Sequence, residues 1–328
     1  MNDATEMNGN APLASLRQYF RNLGQKKGEV LVRDPGARMF GAPADVHIEA
    51  DRQWEYAALS QVVYDKAEAS KTHARRGVPL KPDYSKRSFD PNMALAEGGW
   101  SICEQFPGEE LKPKLAKRHL RVEVWRKNDP TEVAVVFAGT VATNIEDWIS
   151  NLRWFLPKHR DEYSELVSAF IPEFMKIFEQ CFPEDPPVIH STGHSLGGGL
   201  AQQFAYALPN HIKFERPKVI QVFAFDPSPV TGYYSVGKTL RVRNTVGMKI
   251  DRIFERGEVL ATARSLVALV YPPSTINPAI RAVRYNFYGI QNPIRAHSIA
   301  RLAEGLYEAR TRKAIDMKVG GGSASGSR

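Results

Sequence analysis

The residues best suited to chemistry stand together at Gly193-His194-Ser195-Leu196-Gly197. The pattern is G-x-S-x-G, which puts a serine on a tight turn between a strand and a helix with its hydroxyl exposed for nucleophilic attack. Such a turn leaves no space for side chains two residues before and two residues after the serine, so glycine is required at both. Gly198 and Gly199 then let the helix pack close to a sheet. A helix start also gathers outward-pointing backbone N–H groups, which makes the Leu196 N–H a natural donor to an oxyanion. A phosphate-binding P-loop is excluded, because no G-K-[ST] follows the glycines.

A second oxyanion donor is expected from the loop after an earlier strand. The apolar run Val133-Ala134-Val135-Val136-Phe137 leads into Ala138-Gly139-Thr140, and Thr140 offers both an N–H and a hydroxyl. A serine nucleophile further needs a histidine as base and an acid to orient it, in the chain order serine, acid, histidine for this architecture. His211 and His297 are the histidines that follow Ser195. His211 comes after the helix that begins beside the serine, which carries it roughly 20 Å away at 1.5 Å per residue. His297 instead follows the last strand across the short stretch from Gly289 to Ala296. Two acids fit the remaining role: Asp226, directly after the strand Val219 to Phe225, and Glu258, after the next strand. One of them orients the imidazole, and the spacing leaves both open.

These groups are positioned by alternating strands and helices. Leu120 to Arg126 and Glu132 to Phe137 read as a strand pair, followed by strands at Val188 to Thr192, Val219 to Phe225, Ile250 to Phe254 and Ala282 to Tyr288. Helices are expected at Asp161 to Phe178, Leu196 to Leu208 and Ser298 to Arg310, with a rough helical face from Trp54 to Tyr64. Apolar strands separated by helices imply an α/β fold with a mostly parallel central sheet covered on both faces. Residues 1–50 read as an N-terminal extension, 51–317 as the domain, and 318–328, rich in Gly and Ser, as a flexible tail. The charged, turn-rich stretch 65–98 reads as a long loop.

Composition is that of a globular protein: 328 residues, 43% hydrophobic and 24% charged. The net charge of +8 favours contact with anionic surfaces such as phospholipid headgroups. The basic residues lack the interleaved aromatics of a nucleic-acid platform, and no nucleic-acid partner is expected. Cys103 and Cys181 have no zinc-like spacing and read as buried thiols. No metal or organic cofactor is expected. The start of the chain lacks the basic and apolar regions of a signal peptide, which points to the cytoplasm, with export only by a signal-independent route.

Three segments taken in order, Phe137-Ala138-Gly139-Thr140, Asp147-Trp148-Ile149-Ser150-Asn151-Leu152 and Gly193-His194-Ser195-Leu196-Gly197-Gly198, resemble the class 3 lipases, a branch of the α/β-hydrolases. The resemblance spans residues 54–303. It implies that Thr140 and Leu196 form the oxyanion hole and that residues 144–156, with Trp148, form or border a lid; the apolar load of that segment is equally consistent with core packing. The chain departs from the family at Ala138, where arginine is usual. It departs again at Glu258, where the family carries an aspartate before V-P, while Phe225-Asp226-Pro227 looks like the L-D-P of pancreatic-type lipases. The implied activity is that of a serine hydrolase cleaving carboxylic esters, with lipid acyl esters first, through an acyl-enzyme on Ser195. The competing reading is a non-catalytic binding protein that keeps the fold.

Overall fold

The strand Val219–Phe225 (β7) reads Val-Ile-Gln-Val-Phe-Ala-Phe, and such a run is stable only where both of its faces are covered. In the computed structural model it is the middle strand of a nine-stranded sheet. The structure describes residues 24–37, 43–76, 88–117, 120–129, 131–138, 165–182, 186–209, 217–260, 277–289 and 292–320, with the backbone alone for 68–76 and 312–320.

The strands are β1 (Val30–Arg33), β2 (Pro43–Ala44), β3 (Trp100–Ile102), β4 (Val122–Asn128), β5 (Thr131–Phe137), β6 (Val188–His194), β7, β8 (Lys249–Glu255) and β9 (Ala279–Tyr285). Their order across the sheet is β2-β1-β9-β8-β7-β6-β5-β4-β3. Strands β5 to β9 run parallel to one another. Antiparallel strands flank them, β4 and β3 on one side, β1 and β2 on the other. The helices are α1 (Val46–Arg76), α2 (Pro91–Glu97), α3 (Lys112–Lys117), α4 (Ile171–Cys181), α5 (Leu196–Ala207), α6 (Lys238–Thr245), α7 (Pro293–Ala296) and α8 (Ile299–Gly320).

Alternation along each strand sorts side chains into two cores. Val133, Val135 and Phe137 of β5, with Val222 and Ala224 of β7, face the layer that holds α4 and α5. Ala134 and Val136, with Phe223 and Phe225, face α1 and α8. In α8 the buried residues Ile299, Leu302, Ala303, Leu306 and Ala309 recur at helical spacing along one stripe. Helix α1 is instead buried all round from Tyr56 to Val63, since it lies between the sheet and α8. That explains why its apolar face is indistinct in the sequence.

Several expectations change. The boundary at residue 50 falls inside α1, and β1, within the expected extension, pairs with β9 along its whole length; its short run Val30-Leu31-Val32 is too brief for periodicity to reveal. The expected loop at 65–98 contains the end of α1 and all of α2, which Asp90 caps by accepting from the Asn92 and Met93 N–H groups. The tail boundary moves as well, because α8 runs through 318–320. The last strand ends at Tyr285 rather than Tyr288, since the Phe287 and Tyr288 N–H groups donate to the Glu255 carboxylate instead of a ladder. Cys103 is buried, but Cys181, at the end of α4, is exposed.

Candidate active site

The geometry at Ser195 is that of a strained elbow. Its backbone stands at φ 57° and ψ −121° between β6 and α5, in a region costly to a residue with a side chain. Three backbone bonds hold it there: the Ser195 N–H donates to Phe225 O (3.0 Å), and Ser195 O accepts from the N–H groups of Ser228 (2.9 Å) and Gly198 (3.1 Å). Gly193 is needed for contact, because a Cβ there would lie 2.5 Å from the Gly197 carbonyl carbon and 2.7 Å from Phe137 O. One glycine therefore satisfies both the elbow and the neighbouring strand.

His297 sits where the short helix α7 meets α8. Asn292 caps α7 by accepting from the Ile294 N–H, and the His297 N–H closes the same turn on Pro293 O. Its Nδ1 lies 3.1 Å from Glu258 Oε2. A carboxylate accepts, so Nδ1 carries the proton and Nε2 keeps the lone pair that a base requires. Glu258 follows the Arg256-Gly257 turn at the end of β8, where Gly257 adopts φ 78°. The same Oε2 also accepts from the Leu260 N–H (2.8 Å), which fixes the carboxylate before it meets the imidazole.

Asp226 comes to the same sheet edge but makes a different contact. It is fully buried, with φ 41°, and Oδ2 lies 3.7 Å from His194 Nε2. His194, between Gly193 and Ser195, donates from Nε2 to the His297 carbonyl (2.9 Å). Its ring stands 4.8 Å from that of His297 and meets Tyr64 edge-on. Of the two acids left open by the sequence, Glu258 holds the hydrogen bond to His297, while Asp226 lies beside His194.

Thr140, Trp148 and His211 lie outside the described residues. Leu196 heads α5 directly after the serine. Sequence reasoning missed His194, hidden in a variable position of the pentapeptide, and Glu255. Glu255 accepts from the Phe287 and Tyr288 N–H groups and so ties the end of β8 to the segment that leads to His297. Burial pushes the Glu255 carboxyl up to about 7, against the pull of those two N–H groups and with the help of the nearby Asp226 charge. One atom each of His194, Asp226 and His297 lie within 4.8 Å of one another, near enough to approach a cation. Proton transfer at the His297 Nε2 and metal ligation by the same lone pair exclude each other.

Residues 55–211 match the family described as phospholipase-like, the Tle-like phospholipase domain. Over these residues the chain is similar to a lipase-like α/β-hydrolase domain. The match to this hydrolase family includes Ser195 and Leu196 and ends before Asp226, Glu258 and His297. No curated protein matches the chain. Among solved structures, a Rhizomucor miehei lipase–propeptide complex is 15% identical over 74% of this chain and 64% of its own, with a TM-score of 0.41. The lipase of Rhizopus microsporus var. chinensis is 14% identical over 69% of this chain and 70% of its own (TM-score 0.39). For the Lip2 lipase of Yarrowia lipolytica the values are 15%, 69% and 75% (TM-score 0.39). The chain thus spans just under two thirds of the Rhizomucor protein.

Proposed function

We propose that the chain is a serine hydrolase of lipid carboxylic esters, of the lipase or phospholipase type, with Ser195 as nucleophile, His297 as base and Glu258 as the acid. The observation that carries this reading is the convergence at one sheet edge of a strained serine elbow and a Glu258-bonded His297. In the reaction the His297 Nε2 takes the Ser195 hydroxyl proton as Oγ bonds to the ester carbonyl carbon. The oxyanion that forms is held by the Leu196 N–H, and Thr140 is the second donor. Collapse breaks the bond to the leaving alcohol, which receives the proton from His297. Water then attacks the acyl-enzyme by the same steps in reverse, releasing the acid and restoring Ser195.

A lid over 144–156 and peripheral contact with anionic lipid belong to the same reading. Trp148, Trp154 and Phe155 supply apolar area, with Arg153, Lys158 and Arg160 beside them, and charge near a headgroup layer adds attraction within a Debye length. Among the described residues no helix is long and apolar enough to cross a membrane. The decisive test is labelling with a fluorophosphonate probe together with hydrolysis of a short p-nitrophenyl ester and of phospholipid vesicles. Wild type should label and turn over, and folded Ser195→Ala should do neither; a labelled or active Ser195→Ala protein overturns the assignment. On the same two substrates Trp148→Ala should lose activity on vesicles far more than on the soluble ester, and equal losses with a lowered Tm would make Trp148 a packing residue.

A further inference from the structure

We propose that Asp226 is a second acid of the site, a positioning residue that supports the His297 imidazolium through space and through His194 without bonding to it. The inference rests on the hydrolase reading above.

Asp226 is fully buried, and among the described residues neither of its carboxylate oxygens has a hydrogen-bond partner. A buried carboxylate without hydrogen bonds is costly unless positive charge stands close by. The two imidazoles within 4.8 Å can supply that charge, and His297 acquires it in each proton transfer of the reaction. A carboxylate on Asp226 gains a nearby cation as the His297 imidazolium forms, and an interaction that strengthens in the transition state is the condition for lowering a barrier rather than merely binding a substrate. Its second route runs through His194. The His194 Nε2–H donates to the His297 carbonyl at 2.9 Å, and Asp226 Oδ2, 3.7 Å from the same nitrogen, polarises that donor. His194 thereby ties the elbow strand to the backbone of the base.

The backbone supports the same reading. Asp226 holds φ 41°, a strained value for a residue with a side chain and the kind retained where geometry serves a site. Its N–H is fixed on Ile253 O at 2.7 Å, so the carboxylate cannot swing away with its backbone. Among the described residues the charged and titratable groups around this centre are Glu258 on His297, His194 and Tyr64, and Glu255, whose carboxyl interacts with the charges of Asp226 and Arg301.

The test uses the full chain and reads His297 directly. Asp226→Asn is nearly isosteric and tolerates positive φ, and Asp226→Gly removes the carboxylate at a position where glycine is unstrained. The His297 ring, followed by NMR in isotope-labelled protein, should titrate about one pH unit lower in either variant than in wild type. The acid limb of kcat/KM for a soluble ester should move down by the same amount while kcat falls about tenfold. A His297 titration and an acid limb that both stay in place in a folded variant overturn the proposal, whichever of the two variants folds. Because the NMR titration needs no turnover, it answers for Asp226 even if fluorophosphonate labelling fails and the hydrolase reading with it.

Discussion

Glu258 and Asp226 have similar chemistry and similar burial, yet their surroundings give them different work. Glu258 presents an oxygen already fixed by the Leu260 N–H to the His297 Nδ1, so it selects the tautomer and holds the ring in the orientation that a base needs. Glu258→Gln keeps the shape but offers an amide where, in the proposed reaction, a carboxylate stabilises the imidazolium. Its kcat on a soluble ester should fall by between about 10² and 10⁴ with little change in Tm, the upper figure being the loss known when a triad acid is neutralised. A rate within a few-fold of wild type would remove Glu258 from the site.

Among the elements, β8 carries the site on its trailing end. Its last residue, Glu255, reaches across to two N–H groups of the segment after β9, and the turn beyond it delivers Glu258. Burial raises the Glu255 carboxyl to about 7, so the folded state holds this proton more tightly than the unfolded chain, where a carboxyl titrates near 4.5. Between those two values folding binds a proton, and stability falls as pH rises through that window. The Tm of wild type should therefore decline by a few degrees more between pH 5 and pH 8 than that of Glu255→Gln, which cannot titrate. Parallel curves of Tm against pH for the two proteins would show that the strap carries no such penalty.

For the whole molecule, the sheet is closed at one side by residues that lie before its first long helix. β1 covers the β9 edge with Val30–Arg33 paired against Ala282–Tyr285. Gln25 adds side-chain bonds to the carbonyls of Glu29 and Arg284, and its own carbonyl accepts from Asn286. A chain begun at residue 51 would leave β9 as an uncovered edge bearing buried Val283 and Tyr285, and exposed apolar edges pair with other chains. That truncation should move the protein into the insoluble fraction or lower its Tm by more than about 10 °C, as expected for the loss of several kcal/mol from a fold of this size. Soluble protein with an unchanged melting curve would make the N-terminal strand dispensable.

Short stretches of sequence are enough for features that local sterics and chain order dictate. The glycines around Ser195 follow from steric contact within one turn, and the β5 and β7 strands follow from apolar runs that only a doubly covered sheet accommodates. The placement of His297 after the last strand follows from chain order. Other features arise only when distant segments meet in the fold. Asp226 and Glu258 both emerge at the right edge, and the difference between them is a bond spanning 39 residues to His297. The four residues of β1 are too few to carry a pattern and become a strand because β9 offers an unpaired edge. His194 is an unconstrained letter within its pentapeptide and gains its part only when α7 brings the His297 carbonyl to within 2.9 Å of its ring, since a hydrogen bond exists only once folding has placed both of its ends.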